Sequence, residues 1–405
     1  MRRILVLFIV IVSSMIALAL MPALAYQQDS QPAGNAEKFV RVGKHAIPGN
    51  YIVVLDVDAG GKFGDLFAAA RATSDLTKTY GGEAQNIYAH AITGFSARMS
   101  EEQAQRLSAD PRVSFVEEDS LVEATITQNN APWGLDRIGQ RDLPLNGIYS
   151  YTTTGAGVNV YIIDTGIRRT HTQFGGRAFV GFDSVGDGQN TNDCNGHGTH
   201  VSGTVGGSTY GVAKGVRLFA VRVLNCSGSG SNSGVIAGVD WVTANHVSPA
   251  VANMSLGGGI STALDTAVNN SINSGVTYAV AAGNNNTNAS NSSPARVAAA
   301  ITVGSSTQTD ARSSFSNFGS VVDIFAPGSS IISAYRTSDT ATATLSGTSM
   351  ATPHVAGVAA RFLQSNPSAS PATVRNEIVA QATLNHLSGI PTGTANRLLF
   401  WSSSR

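Results

Sequence analysis

From about residue 126 onward, short apolar runs typical of buried β-strands alternate with longer stretches of helical periodicity. Strands that alternate with helices build βαβ units, which give a mainly parallel sheet with helices on both faces. The predicted strands are Asn159–Asp164, Leu218–Leu224, Val251–Leu256, Thr277–Ala282 and Ala300–Val303. The sequence therefore predicts an α/β fold for this part of the chain.

A smaller unit precedes this region, over about residues 47–118, with elements in the order β-α-β-α-β. Each element is inferred from its apolar period and from its β-branched or helix-forming composition. They are the strand Tyr51–Val57, the helix Lys62–Tyr80, the strand region Ile87–Met99, the helix Ser100–Ala109 and the strand Val113–Glu117. We therefore predict a small α+β unit ahead of the α/β unit.

The two helices of the small unit carry further local signals. Apolar side chains at helical spacing predict the buried face of the first helix, at Phe63, Leu66, Phe67, Ala70 and Leu76. Ser100 followed by Gln103 has the spacing of a capping box, which predicts the start of the second helix.

The first 25 residues have the pattern of a secretory signal peptide. Arg2 and Arg3 form a charged start, Ile4–Leu20 is apolar, and Ala23–Ala25 provides the small residues of a cleavage site. An uncleaved membrane anchor is the alternative, since the apolar run is at the short end of spanning length. We predict that residues 1–25 are removed and that the protein is secreted, with no membrane attachment after cleavage.

Charge and cysteine content limit the possible partners and the compartment. The chain has 26 Lys+Arg against 26 Asp+Glu, which gives no indication of binding to nucleic acid or to an anionic membrane. In an exported protein, two cysteines favour a single disulfide, here between Cys194 and Cys226, and two free buried thiols are the alternative.

Three short segments of the α/β region carry residues suited to nucleophilic catalysis. The first is a buried strand that ends in Asp164, the second surrounds His197 with glycine and threonine, and the third places Ser349 after Gly347 at a helix start. Taken singly, these residues are compatible with a turn, a structural histidine and an N-cap. His197 and His200 are also compatible with metal ligation, although the Glu of the H-E-x-x-H motif is missing.

The order of these segments along the chain indicates which class of hydrolase they resemble. Asp, His and Ser follow one another as in subtilisin, whereas α/β-hydrolases have the order Ser, Asp, His and a G-x-S-x-G elbow that Ala351 interrupts here. The segments Asp164–Gly166, His197–His200 and Gly347–Ala351 resemble the three signatures of the subtilisin superfamily. Ala131–Ile138, Ser313–Gly319 and Val322–Gly328 resemble its proteinase K branch, and within it the aqualysin-type bacterial enzymes.

The resemblance implies a serine endopeptidase with defined residue roles. Ser349 would be the nucleophile, His197 the general base and Asp164 the carboxylate that orients the imidazole. The Asn284 side-chain amide and the backbone N–H of Ser349 would form the oxyanion hole. An inactive protease-like binding protein and an esterase or lipase are the rival interpretations, which the intact set of four residues and the chain order disfavour.

The resemblance also implies how substrate and propeptide bind. Two edges would pair with an extended peptide, and small residues would leave room for an apolar or aromatic side chain before the scissile bond. These predicted substrate-binding residues are Gly228, Ser229, Gly230, Ser255, Leu256, Gly257, Ala281, Ala282 and Gly283. Residues 26–125 would form a ferredoxin-like propeptide that inhibits the enzyme until it is cut near Thr125/Ile126, and residues 126–405 the catalytic domain, expected to be a monomer.

Structural calcium and one disulfide follow from the same resemblance. The Asp323 carboxylate with the carbonyl groups of Ala298 and Ala300 is the first predicted calcium site. A second candidate consists of Asp136, Gln140 and Asn146, where Gly139 replaces an acidic ligand of related enzymes. Cys194 and Cys226 match one family disulfide, while Ser290 and Val321 stand where some aqualysin-type enzymes have another.

Overall fold

A computed structural model describes residues 38–43, 46–56, 64–120 and 125–403. The chain divides into two compact units, Met1–Val122 and Glu123–Arg405. The predicted signal peptide, residues 1–25, lies outside the described residues. Among the described residues, no helix is both long and apolar enough to cross a membrane.

The first unit is a five-stranded sheet covered by two helices. Its strands are β1 (Phe39–Val40), β2 (Ala46–Leu55), β3 (Glu83–Tyr88), β4 (Gly94–Arg98) and β5 (Val113–Ser120), and its helices are α1 (Leu66–Tyr80) and α2 (Glu101–Ser108). The strand order is β1-β5-β2-β4-β3, with β1 and β5 parallel and the other neighbours antiparallel. Ser100 caps α2 in a capping box with Gln103, as predicted.

Two predictions for this unit were wrong in detail. The predicted strand region Ile87–Met99 is two antiparallel strands, β3 and β4, joined by a turn. Apolar residues on both sides of that turn gave one uninterrupted strand-like pattern. The buried face of α1 was also misplaced, because Phe67 is 80 % exposed.

The face of α1 that is buried consists of Ala69, Ala72, Thr73 and Leu76. Phe67 lies about 200° around the helix from Ala69, since each residue turns the helix by about 100°. Phe63 is outside the described residues. The large apolar side chains therefore indicated the wrong face of α1, and Leu76 was the one residue among them correctly predicted as buried.

Among the described residues, the second unit contains the larger sheet, two antiparallel strand pairs and six helices. Its strands are β6 (Ile126–Asn129), β7 (Ile148–Tyr151), β8 (Asn159–Asp164), β9 (Ala178–Asp183), β10 (Arg217–Arg222), β11 (Ala250–Met254), β12 (Thr277–Ala281), β13 (Ile301–Ser306), β14 (Ile324–Pro327), β15 (Ile331–Ala334), β16 (Thr342–Leu345), β17 (Thr383–Leu384) and β18 (Arg397–Leu398). Its helices are α3 (Trp133–Gly139), α4 (His197–Gly206), α5 (Asn232–Asn245), α6 (Thr262–Asn273), α7 (Thr348–Ser365) and α8 (Pro371–Gln381).

Nine strands form the main sheet in the order β17-β18-β14-β13-β12-β11-β8-β10-β9. Neighbouring strands are parallel throughout except for the pair β17 and β18. The five predicted strands all belong to this sheet, which confirms the α/β fold class. The sequence prediction lacked β9, β14, β17 and β18.

Helices cover both faces of the sheet, and the alternation along β8 shows why. Val160 and Ile162 pack in the hydrophobic core that contains α4 and α7, whereas Tyr161 and Ile163 pack in the core that contains α5 and α6. A strand buried on both faces reads as a continuous apolar run. Asp164 ends this strand at the carboxyl edge of the sheet, where open α/β sheets bind ligands.

Candidate active site

Asp164 is fully buried at the end of β8 and held there by backbone hydrogen bonds. Its carbonyl oxygen accepts from the N–H groups of Val223 and Leu224, at 2.9 and 3.2 Å. Its carboxylate Oδ1 accepts from the Thr165 N–H at 2.7 Å. The carboxylate therefore has a fixed orientation, and both of its oxygens are within reach of one further donor.

That further partner is His197, the first residue of α4. Its Nδ1 lies 2.8 Å from Oδ1 and 3.0 Å from Oδ2 of Asp164. Helix α4 approaches β8 closely because Gly198 has no Cβ, which would lie 2.2 Å from the Gly166 carbonyl oxygen. The pairing therefore depends on the small residue that follows the histidine.

Two opposing influences act on the protonation of His197. Burial, the largest single one, disfavours the imidazolium, while the charge and the hydrogen bond of Asp164, and the charge of Asp193, favour it. The carboxylates prevail, so the pKa of His197 is raised above its usual value. Because Nδ1 faces Asp164, the neutral imidazole carries its proton there and leaves Nε2 as a base.

Asp193, which sequence reasoning missed, fixes the turn before His197. Its Oδ1 accepts from the N–H groups of Asn195 and Gly196, at 2.9 and 2.7 Å, and from the Thr165 hydroxyl at 2.9 Å. Its Oδ2 accepts from the N–H and the hydroxyl of Thr199, at 2.9 and 2.6 Å. One buried carboxylate thus connects the strand that carries Asp164 to the helix that carries His197. An Asp four residues before a helix-start histidine was the available signal.

Ser349 lies in the first turn of α7, after Gly347. Its hydroxyl donates to the Ser255 carbonyl oxygen at 3.0 Å and makes no hydrogen bond to His197. The Ser255 hydroxyl in turn donates to the Ser349 carbonyl oxygen at 2.8 Å. Rotation about a single side-chain bond redirects a serine hydroxyl, and catalytic hydrogen bonds are often incomplete without substrate.

Asn284 follows β12 and faces the same helix start. Its Oδ1 accepts from the N–H of Thr348 at 2.8 Å and from the Thr348 hydroxyl at 2.9 Å. Because Thr348 occupies the amide oxygen with two hydrogen bonds, the Nδ2 group remains available to donate to a ligand beside Ser349. Thr348, another residue that the sequence analysis did not single out, therefore sets the direction of the Asn284 amide.

Two adjoining cavities open at this edge of the sheet, and Ser349 and Asn284 line both. One is a cleft of about 600 Å³ that also contains His197. The other is a pocket of about 470 Å³ with no charged lining residue. All nine predicted substrate-binding residues line one or both of them: Gly228, Ser229, Gly230, Ser255, Leu256, Gly257, Ala281, Ala282 and Gly283.

The alternative of a metal site at His197 and His200 does not fit the geometry. His197 faces Asp164, whereas His200 is buried and its Nε2 lies 3.0 and 3.1 Å from the carbonyl oxygens of Ile331 and Ala343. His200 thus links α4 to the hairpin of β15 and β16. The two imidazoles contact different elements and are not directed at a common point where a metal ion could bind.

The stability of the second unit should depend on pH through His200 and His354. Burial lowers the pKa of each to about 4. An unfolded chain protonates histidine below about pH 6.5, so the free energy of unfolding should fall as pH falls from 6.5 to 4, and this contribution should level off below 4. The midpoint of thermal unfolding, measured from pH 6.5 to pH 4, tests this prediction. The Ser349→Ala chain is used because it should not digest itself.

His354→Gln should reduce that slope, because one of the two buried imidazoles is removed. His386→Gln is the matched control, since the His386 side chain is 36 % exposed, and it should leave the slope unchanged. An equal slope in all three chains would contradict the assignment to buried histidines.

Cys194 and Cys226 form a disulfide, as predicted, with their Cα atoms 4.9 Å apart. The bridge ties the turn before His197 to the loop that carries Gly228–Gly230, and the Asn195 side chain donates to the Cys226 carbonyl oxygen at 3.1 Å. By the chain-entropy model, a loop closed across 32 positions contributes about 3–4 kcal/mol. The alternative of two free thiols is excluded.

In the first predicted calcium site, both carboxylate oxygens of Asp323 have hydrogen-bonding partners. One carboxylate oxygen of Asp323 accepts from the Thr302 N–H at 2.9 Å, and the other is paired with the Arg375 guanidinium. Ala300 is buried and Ala298 is exposed. A calcium ion bound by this carboxylate would therefore have to replace Arg375 at Oδ1.

The second candidate, at Asp136, fits better. Asp136 is 2 % exposed; its Oδ2 accepts from the Gly147 N–H at 2.6 Å, while its buried Oδ1 has no hydrogen-bond partner. Burial raises the pKa of this carboxyl. The loop around it is closed by the Gln140 amide, which donates to the carbonyl oxygens of Asp142 and Pro144. An orphaned buried carboxylate oxygen is the environment that a hard cation satisfies.

A buried Asp–His pair beside a helix-start serine, at the carboxyl edge of a parallel sheet, is the arrangement of a serine hydrolase. The model of the subtilase family matches residues 155–397, and that of the peptidase inhibitor I9 family matches residues 50–125. The chain belongs to the subtilase family. It is a secreted serine endopeptidase with an inhibitor-type propeptide, made as a zymogen.

Relatives of known name agree with this membership. An extracellular serine proteinase of Thermus sp. (strain Rt41A) is 52 % identical over 390 residues, which cover 91 % of this chain and 94 % of the relative. Alkaline serine exoprotease A of Vibrio alginolyticus is 55 % identical over 331 residues, which cover 80 % of this chain and 61 % of the relative.

A solved structure supports the fold. The crystal structure of a cold adapted subtilisin-like serine proteinase matches with a TM-score of 0.66 and 57 % identity, over 67 % of this chain and 98 % of that one. The subtilisin-like fold and the resemblance seen in the sequence motifs are thereby confirmed. The family commonly binds structural calcium.

Proposed function

We propose that Ser349, His197 and Asp164 are the catalytic triad of this endopeptidase. The observation that carries the proposal is the double contact between His197 Nδ1 and the buried Asp164 carboxylate, in a cleft that Ser349 also lines. Fluorophosphonate labelling tests it. The probe should attach to Ser349 in the mature enzyme, and the label should be absent from Ser349→Ala.

The mechanism follows from the orientation of these groups. When substrate enters, the Ser349 hydroxyl leaves the Ser255 carbonyl oxygen and donates to His197 Nε2, which removes the proton as Oγ attacks the scissile carbonyl carbon. Asp164 stabilises the imidazolium without accepting its proton. The imidazolium then protonates the leaving amine, and water attacks the acyl-enzyme in a second round of the same proton transfers.

The oxyanion of each tetrahedral intermediate needs donors that are already in place. We assign this role to Asn284 Nδ2 and the backbone N–H of Ser349. Support comes from the two hydrogen bonds that Thr348 donates to Asn284 Oδ1, since they turn the amide nitrogen toward the cleft. The positive end of α7 adds to the attraction for negative charge at Ser349.

Specificity should be broad, with a preference for apolar or aromatic side chains immediately before the scissile bond. The pocket of about 470 Å³ is lined by glycine, alanine, leucine and uncharged polar residues, so it offers space and no counter-charge to Lys, Arg, Asp or Glu. A peptide-library digest should therefore give cleavage mainly after large apolar residues. Dominant cleavage after charged residues would contradict this assignment.

Residues 26–125 are proposed as the propeptide and residues 126–405 as a monomeric catalytic domain, with self-processing near Thr125/Ile126. Two observations support this boundary. The inhibitor-family match ends at residue 125, and the compact units divide between Val122 and Glu123. Mass spectrometry of the secreted protein would give the mature amino terminus, which we expect within about two residues of Ile126.

Calcium is proposed to bind at Asp136. The bound ion would neutralise the buried carboxylate and stabilise the conformation of the loop from Gln140 to Gly147. Anything that binds only the folded state raises its stability with concentration. The thermal midpoint of the Ser349→Ala chain should therefore rise when EDTA is replaced by millimolar Ca²⁺. Asp136→Asn should abolish most of that rise.

Asp323→Asn is the matched control for this prediction, because Asp323 is also a buried carboxylate but is paired with Arg375. It should retain the calcium-dependent rise. If Asp323→Asn loses the rise and Asp136→Asn keeps it, the assignment must be reversed in favour of Asp323, Ala298 and Ala300.

A further inference from the structure

The loop between β13 and β14 contains a residue with a buried side-chain amide, Asn317. None of the catalytic roles described above is assigned to it. Asn317 is 2 % exposed and, like Asn284, lines the uncharged pocket of about 470 Å³. A buried amide with both ends hydrogen-bonded fixes the backbone segments that it joins. The segment that Asn317 joins to its own loop is the one that carries Asn284.

The contacts of Asn317 lie on both sides of Asn284. On the preceding side, Asn317 Nδ2 donates to the Ala282 carbonyl oxygen at 2.8 Å, and the Asn317 backbone N–H donates to the Gly283 carbonyl oxygen at 2.9 Å. On the following side, Oδ1 accepts from the N–H groups of Asn285 and Thr287, both at 3.0 Å, and from the Thr287 hydroxyl at 3.4 Å. The side chain therefore spans the turn as a clamp.

Gly283 shows how closely the clamp fits. Its φ is +102°, a conformation that side chains other than glycine rarely adopt. A Cβ at this position would also lie 2.4 Å from Asn317 Nδ2. The turn thus brings its backbone into direct contact with the amide, and the position of Asn284 follows from that contact.

We propose that Asn317 is a positioning residue for the oxyanion hole: it holds the turn Ala282–Thr287 so that Asn284 Nδ2 is aligned before substrate arrives. This inference rests on the proposed role of Asn284. Thr348 fixes the rotation of the Asn284 amide, whereas Asn317 fixes the backbone from which that amide extends. Both Thr348 and Asn317 are needed because a hydrogen-bond donor stabilises the oxyanion most when it does not have to move during the reaction.

The substitution Asn317→Ala removes four side-chain hydrogen bonds from the turn but leaves the backbone pairing between the two loops. The Asn286 N–H still donates to the Phe315 carbonyl oxygen, and the Phe318 N–H to the Thr287 carbonyl oxygen. The turn should therefore persist while Asn284 becomes less exactly placed. A misplacement of about 1 Å can lower turnover about 100-fold, so we expect kcat to fall about 10- to 100-fold.

A double-mutant cycle with Asn284→Ala separates positioning from general destabilisation. If Asn317 acts through Asn284, adding Asn317→Ala to Asn284→Ala should lower kcat by less than about threefold. A merely structural role predicts the full loss in both backgrounds. The control is Asn396→Ala, since Asn396 also bridges an N–H and a carbonyl, both of Leu387, but away from the cleft, and it should leave kcat unchanged.

Asn317→Asp is the second variant in case Asn317→Ala does not mature. It keeps the shape and the Oδ1 acceptor but places an oxygen against the Ala282 carbonyl, so kcat should fall while the chain still folds. Full kcat in either Asn317 variant, or equal losses in both backgrounds, would overturn the inference. An unchanged kcat in Asn284→Ala alone would instead overturn the proposed role of Asn284, which the same data set reports separately.

Discussion

Ser349→Ala should lower kcat by about a million-fold, which is the loss that the corresponding change causes in subtilisin. The covalent acyl-enzyme forms on the Ser349 oxygen, which alanine lacks. Hydrolysis of a chromogenic peptide by the purified chain would measure the loss. The variant should also keep its propeptide when it is expressed in a protease-free host.

Ser208→Ala is the matched control for this prediction. Ser208 is exposed and lies outside the cleft, so its removal should leave both turnover and maturation unchanged. Normal trimming of Ser349→Ala in the protease-free host would refute self-processing. Residual turnover close to that of the unmodified enzyme would refute the assignment of the nucleophile.

Asp164→Asn should lower kcat by about 10⁴-fold, in keeping with the same change in other serine proteases. The fold should survive, because the amide has the shape of the carboxylate and its oxygen can still accept from the Thr165 N–H. An amide N–H directed at His197 Nδ1 favours the wrong tautomer, with the proton on Nε2. The base is then unable to accept the Ser349 proton.

The pH profile gives Asp164→Asn a second measurable consequence. Asp164 helps to raise the pKa of His197, and activity requires the neutral imidazole, so kcat/KM of the unmodified enzyme should decline as pH falls below that raised pKa. Removing the carboxylate lowers the pKa, and the acidic limb should move to lower pH. Asp240→Asn, an exposed carboxylate, is the control. An unmoved limb in Asp164→Asn would contradict the electrostatic role.

The prediction of the parallel sheet succeeded because a strand buried on both faces carries its own signal. Asn159–Asp164 was predicted with its observed bounds, since every residue in it is buried. The short strands β17 and β18 lacked this signal, because two residues are too few to show a period. In the small unit, large apolar residues suggested the wrong face of α1, since Phe67 is exposed while small alanines pack below the helix.

The calcium candidates show what sequence similarity by itself could not rank. The family resemblance favours Asp323, and it counts against Asp136 because Gly139 replaces an acidic ligand of related enzymes. Arg375, 52 positions from Asp323, pairs with that carboxylate, while Asp136 keeps one buried oxygen without a donor. These contacts come from the packing of distant segments, which no local pattern shows, and the calcium titrations proposed above test both carboxylates.

The sequence by itself determined the α/β fold, the order of Asp164, His197 and Ser349, and the glycines that let their elements approach, because these are local patterns within short segments. The tertiary structure decided the rest: the buried Asp193 beneath the His197 turn, the rotation of Ser349 toward Ser255, and the Asn317 clamp around Asn284. Each of these is a hydrogen bond between segments distant in the chain or a choice among side-chain rotamers. Such contacts are fixed by the packing of the whole domain, and no local pattern encodes them.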